Sequence, residues 1–179
     1  MTLYSYKNFL PRLDKSVFVA PTAQIIGDVH IGRQSSVWFH SVLRGDMDSI
    51  RVGERTNIQD LSLCHADKGI PLKIGDGVTI GHRCIIHGCT IEDDCLIGMG
   101  AVVMNQAVIG RGSVVAAGAV VLEKTIIPPY SLVTGLPGRV KKTYRNRKEA
   151  EKSRKIMSES YMESAKIFGS NQIFYEVNN

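Results

Sequence analysis

Aliphatic residues recur every six positions along most of this chain. Leu13, Val19, Ile25, Ile31, Val37 and Leu43 form the first run. After an irregularity at Ile50 the register resumes at Val52, Ile58 and Cys64, and after a longer gap at Ile74, Ile80 and Ile86. One shortened step then leads through Ile91, Ile97, Val103, Ile109, Val115, Val121 and Ile127 to Val133. Of these twenty positions all but Cys64 are aliphatic. A period of six fits neither an amphipathic helix nor a coiled coil. As a multiple of two it suits a short strand followed by a turn.

The flanking positions support this. Two residues before most of the aliphatics stands a small residue, among them Ala23, Ser35, Ser41, Thr56, Ala101, Ser113 and Ala119. A large and a small inward side chain would together fill a narrow prism. Ile50 and Leu72, which are larger, fall at the two register breaks. Glycine follows the aliphatic at Gly32, Gly53, Gly75, Gly81, Gly98 and Gly110, where it is expected to serve an unusual turn backbone. Cys84, Cys89 and Cys95 take the small slot and Cys64 the large one, so the cysteines read as packing rather than as ligands or disulfides.

Self-similarity of this kind predicts an all-β solenoid of parallel strands. Three hexapeptides per coil make a triangular prism, and twenty units give between six and seven coils. The pattern resembles the left-handed parallel β-helix of hexapeptide-repeat proteins, and the hand is implied by that resemblance. Leu136-Pro137-Gly138 ends the repeat, and Arg145 to Phe168 reads as an α-helix. Met157, Tyr161, Ala165 and Phe168 form an apolar stripe that is expected to pack along the prism. The organisation expected is a β-helix domain over 1–140 and a C-terminal helix and tail over 141–179. The polar tail from Gly169 onward is expected to order on an oligomer.

With 179 residues and 44% hydrophobic content, the chain can bury a substantial core. The net charge of +5 raises a nucleic-acid hypothesis that its distribution removes. Lys141, Lys142, Arg145, Arg147, Lys148, Lys152, Arg154 and Lys155, against Glu149 and Glu151, carry +6 on their own, leaving the remainder close to neutral. A basic run on a terminal helix reads as a solvated face, and no aromatic interleaving supports single-strand binding. No apolar run reaches the roughly 18 residues of a membrane span, and the first residues lack an apolar signal core. The expectation is a cytoplasmic protein with neither nucleic acid nor membrane as partner.

Three histidines carry the candidate chemistry. His65 follows Cys64 and His87 follows Ile86, so both hold the outward slot after an inward residue, one coil apart. Two imidazoles on neighbouring rungs, about 5 Å apart, can share one metal ion. The extra residues Ala66 to Pro71 loop out between them. His82 falls two residues after Ile80, at a corner, and reaches such an ion more easily in a neighbouring chain. This predicts a homotrimer with metal sites at its interfaces. His30 and His40 read as surface or interface residues.

The strings Val-Leu-Arg-Gly-Asp (42 to 46), Asn-Ile-Gln-Asp (57 to 60) and Ile-Gly-His-Arg-Cys-Ile-Ile-His-Gly-Cys-Thr-Ile (80 to 91) resemble the gamma-class carbonic anhydrases. The resemblance spans about residues 10 to 170 and is closest to the short-loop bacterial members. It implies that His65, His82 and His87 bind zinc or ferrous iron between subunits, and that a metal-bound hydroxide converts carbon dioxide reversibly to bicarbonate. It further implies that Gln59 orients the hydroxide and that Arg44 pairs across the interface with Asp60. Asp46 and Asn57 match positions near the site. The chain departs from the founding members in lacking their acidic loop, and Met47 stands where they carry glutamate. Asp67 and Tyr161 are the candidates to replace that proton path.

Two other classes remain open at this point. An acyltransferase of the same repeat fold would use one histidine, here His82, as general base with an acyl-coenzyme A donor and no metal. A non-catalytic trimeric scaffold or accessory subunit would need none of the three.

Overall fold

A computed structural model describes residues 2–144 and 147–170, with side chains from 3 to 144 and from 158 onward. The side chains of Arg145, Arg147, Lys148, Lys152, Arg154, Lys155 and Met157 lie outside the described residues, as does the tail 171–179. Lys141 and Lys142 are exposed.

The six-residue period becomes a three-sided parallel β-helix. On one face Val19, Val37, Ile58, Ile80, Ile97, Val115 and Val133 stack as successive ladder partners, seven rungs deep. A second face stacks Ile25, Leu43, Cys64, Ile86, Val103 and Val121, and a third Ile31, Val52, Ile74, Ile91, Ile109 and Ile127. These side chains fill the prism, nearly all of them fully buried. The left-handed hexapeptide solenoid is therefore present, with the inward residues in the predicted slots.

The first break in the period, at Ile50, has a local cause. Strands Gln24–Ile31 and Val42–Val52 do not stop at the corner but run across it, joining two faces into one continuous sheet. The extra residues of the longer strand travel round the bend, and Ile50 re-enters the core opposite Val29 and Leu72. Arg51 straps the corner with a two-pronged contact to Asp28 at 2.9 and 3.0 Å.

The glycine expectation is corrected. Gly32, Gly53, Gly75, Gly81, Gly98 and Gly110 are absent from the positions with left-handed backbone, many of which Gln34, Arg55, Arg83, Asp94, Gln106 and other non-glycine residues hold instead. What these six glycines provide is close approach between coils. A Cβ at Gly98 or Gly110 would lie 2.5 Å from the backbone nitrogen of Ala117 or Pro129.

The C-terminal end is closed by strand Arg139–Thr143, which pairs antiparallel with Ser131–Thr134 and lies across the boundary expected at residue 140. The helix Arg147–Gly169 then returns along the first face. Trp38, 5% exposed, receives it. Its ring centroid lies 5.3 Å from that of Phe168, 5.4 Å from Tyr161 and 5.2 Å from Phe18. Ser158, also buried, donates its hydroxyl to the carbonyl of Arg55, a corner residue with left-handed backbone, at 2.9 Å. Among the described residues no helix is long and apolar enough to cross a membrane.

Candidate metal centre

Register alone brings His65 and His87 together. They are direct partners in the ladder between Leu63–His65 and Ile85–His87, and Arg44 occupies the same slot one rung earlier. His65 Nδ1 lies 2.9 Å from His87 Nε2. The Asp67 carboxylate enters from the Ala66–Pro71 loop, with Oδ1 4.0 Å from His87 Nε2. Ligand atoms of His65, Asp67 and His87 all fall within 4.8 Å of one another, a grouping able to hold a metal ion.

The far nitrogens of the two rings fix their protonation. His65 Nε2 lies 3.1 Å from Asp46 Oδ1. Burial works to raise the Asp46 pKa, but hydrogen bonds from Arg44 and His65 outweigh it and hold the carboxyl below its ordinary value. An ionised carboxylate only accepts, so His65 donates from Nε2. His87 Nδ1 lies 2.7 Å from Asn105 Oδ1, and the other end of that carboxamide donates to Asp67 Oδ2 at 2.8 Å. His87 therefore donates from Nδ1. In two neutral rings held this way, the near nitrogens carry lone pairs that face each other across the rung. Two lone pairs at that distance repel, and a cation between them resolves the conflict. The donor set fits a divalent ion: imidazole nitrogens with outer partners that set the tautomer are the usual construction of such centres.

His82 stands elsewhere on the chain. Its Nδ1 lies 2.8 Å from Asp60 Oδ2, and its Nε2 lies 3.4 Å from the Tyr161 hydroxyl on the helix. Burial, then the Asp60 charge, push the Tyr161 pKa up, which keeps the phenol protonated. His82, Gln59, Thr79, Met99, Ala117 and Tyr161 line a cleft of about 350 Å³. Gln59 and Asn57 are buried below 5%, where Gln59 Nε2 donates to Asn57 Oδ1 at 3.2 Å and Asn57 Nδ2 donates to Thr79 Oγ1 at 2.9 Å.

The expected site residues thus fall into two groups within one chain. His65, His87, Asp46 and Arg44 are together, and His82, Asp60, Gln59 and Asn57 are together. Inside the chain Arg44 pairs with Asp46, and Asp60 pairs with His82 and with the Phe39 amide.

Residues 71–103 and 88–123 match the family model of the bacterial transferase hexapeptide, six repeats. A Methanocaldococcus jannaschii protein named "Probable carbonic anhydrase" is 54% identical over 128 residues, covering 72% of this chain and 80% of that one. The chain belongs to the gamma carbonic anhydrase family. Gamma carbonic anhydrase 1 of Arabidopsis thaliana mitochondria is 45% identical over 144 residues, 77% of this chain and 52% of the relative. The chain thus spans about half the length of that relative. Among solved structures, a hexapeptide transferase family protein of Anaplasma phagocytophilum superposes with a TM-score of 0.88 at 38% identity. It covers 93% of this chain and 98% of that one. Membership in the gamma carbonic anhydrase family implies a metal cofactor, and the histidine pair is the place in this chain suited to hold one.

Asn105 carries no repeat signal and was missed by the sequence reasoning. It lies in a turn between strands, where neither period nor motif marks it.

Proposed function

We propose that three copies of this chain form a homotrimer that hydrates carbon dioxide reversibly to bicarbonate. The metal, zinc or ferrous iron, would be held by His65 and His87 of one subunit and His82 of its neighbour. The single observation that carries this reading is the 2.9 Å approach of His65 Nδ1 to His87 Nε2, each ring held from behind by an oxygen, which can only accept.

A divalent cation there supplies Lewis acidity and brings the pKa of a water towards neutrality. The rest falls to the chain. Asp46 and Asn105 keep the two imidazoles in the ligating tautomer. Asp60 does the same for His82, since its carboxylate accepts from Nδ1 and leaves Nε2, beside the Tyr161 hydroxyl, as the ligating nitrogen. Asn57, itself held by Thr79, fixes the carboxamide of Gln59 so that it orients the attacking water. The cleft beside His82, lined in part by Ile97, Met99 and Ala117, suits a small apolar substrate. Arg44 supports the trimer by pairing with Asp60 of the adjacent subunit. Leu63 and Ile85, 37% and 42% exposed, adjoin the histidines on the same face and supply apolar surface for that contact.

The test is metal analysis of anaerobically prepared protein, followed by stopped-flow hydration with zinc or iron restored. About one ion per subunit and hydration above the buffer rate are expected. Metal without hydration would retain the site and remove the activity.

One observation favours a second reading. His82 in a cleft with a carboxylate on Nδ1 is the arrangement of a general base, which an acyltransferase of this fold would use on an acyl-coenzyme A. Binding of acetyl-coenzyme A by metal-free protein would support it.

A further inference from the structure

Asn105 sits in the turn that follows strand Val102–Val103, half-buried, one coil beyond His87. Its carboxamide orientation is determined by its neighbours. The Asp67 carboxylate accepts, so the NH2 group must face it, and the oxygen is then turned to His87. Its backbone is held as well, because its carbonyl accepts from the Lys124 amide at 2.9 Å and the next residue, Gln106, donates to the Gly88 carbonyl at 2.7 Å.

The residue after His87 makes this approach possible. A Cβ at Gly88 would lie 2.3 Å from Asn105 Oδ1 and 2.9 Å from Ile70 Cγ2, and the φ of +47° suits glycine. The turn, the loop and the imidazole therefore meet at one point that only a glycine leaves open.

We propose that Asn105 is a positioning residue: its carboxamide selects the His87 tautomer that presents Nε2, and at the same time pins the Ala66–Pro71 loop through Asp67. This rests on the metal reading above. Without the Asn105 oxygen, His87 carries its proton on Nε2 and donates it to His65 Nδ1, already 2.9 Å away. The histidine pair then satisfies itself and closes the position to a cation. Asn105 decides between these two states of the pair.

The test compares wild type with Asn105→Leu, which neither donates nor accepts, and Asn105→Asp, which accepts from His87 but repels Asp67. The first readout is the nitrogen-15 tautomer pattern of His87 in metal-free protein. The proton is expected on Nδ1 in wild type and Asn105→Asp, and on Nε2 in Asn105→Leu. The second readout is cobalt(II) titration, with Asn105→Leu weaker by roughly 10- to 100-fold. In Asn105→Asp, faster exchange of the Gly69 and Ile70 amides would report release of the loop. An unchanged tautomer and unchanged cobalt affinity in Asn105→Leu would overturn the proposal. If the leucine variant does not fold, Asn105→Ala is read by the same two measurements. Failure of every protein to bind cobalt would count against the metal reading, while the tautomer arm still decides this one.

Discussion

His65 and His87 are ladder partners whose ring nitrogens approach to 2.9 Å although 22 positions separate them in the chain. Nothing local to either histidine produces that contact. It follows from a coil closing on itself after three strands, so that the outward slot behind Cys64 is stacked on the outward slot behind Ile86. The β-helix acts as a ruler, and the outer partners Asp46 and Asn105 turn two adjacent side chains into a pair of donors with a common target.

If that target is a metal, removing it loosens the protein. An ion that binds only the folded state adds about 2.7 kcal/mol when present at a hundred times its Kd. Chelator dialysis should therefore lower the Tm of the wild type by several degrees. In His65→Ala and His87→Ala the same treatment should leave Tm unchanged. A chelator effect of equal size in all three proteins would place the ion elsewhere.

The interior cysteines give an alkaline prediction. Burial pushes the Cys84 thiol from 9.0 to about 11 and the Cys89 thiol from 9.0 to about 12, and it pushes Cys64 up as well. These folded-state values lie above those of the unfolded chain, so the unfolded chain releases protons first as pH rises. Stability is full below about pH 8.5 and falls above it, by about 1.4 kcal/mol per pH unit for each such thiol. Urea unfolding followed from pH 8 to 10.5 should show the fall, and Cys89→Ala should flatten it by one thiol's share. A slope identical in the two proteins would contradict the assignment.

The fold was legible because the inward residues obey a strict period, and burial enforces that period on every coil. The histidine pair was legible for the same reason, since slot and coil number are counts along the chain. Partners across the surface were not. Arg44 and Asp60 read as a pair from resemblance, whereas inside one chain each has a nearer partner, in Asp46 and His82. Asn105 was invisible because turn residues escape the period, and only the three-dimensional path brings a turn beside His87. The corner glycines were assigned the wrong role because a glycine needed for close packing and one needed for a left-handed turn look alike in a sequence.

That distinction is testable. At Gly98 a methyl group would meet the Ala117 nitrogen of the next coil at 2.5 Å, and the coils would have to separate. Gly98→Ala should cost about 1–3 kcal/mol in urea unfolding, as overpacking does. At Gly118 the backbone is left-handed, φ +68°, with open space around the added group. Gly118→Asn, which tolerates that backbone, should be nearly neutral.

The helix has a built-in reporter in Trp38, the one tryptophan of the chain. Its indole is covered by Phe168 and Tyr161 from the helix and by Phe18 from the prism. Phe168→Ala should open it to water, shift its emission to the red and cost about 1–2 kcal/mol, less than a fully buried phenylalanine would. Emission that stays at the wild-type wavelength would mean that the helix does not depend on this contact.

The separation of His82 from the other two histidines makes the strongest demand. Within one chain His82 points to Asp60 and Tyr161, on a different face from the His65–His87 rung. If each site draws the pair from one subunit and His82 from the next, trimers of His65→Ala alone, or of His82→Ala alone, contain no complete site. A trimer containing both variants has one wherever a His82→Ala chain supplies the pair and its His65→Ala neighbour supplies the corner histidine. Random mixing in equal amounts meets that condition at about one interface in four. Co-expression should therefore recover about a quarter of the wild-type metal content, and the same fraction of any hydration activity. Mass spectrometry of the intact trimers would establish that mixing occurred. No recovery in verified mixed trimers would show that the three histidines do not complete a site between subunits.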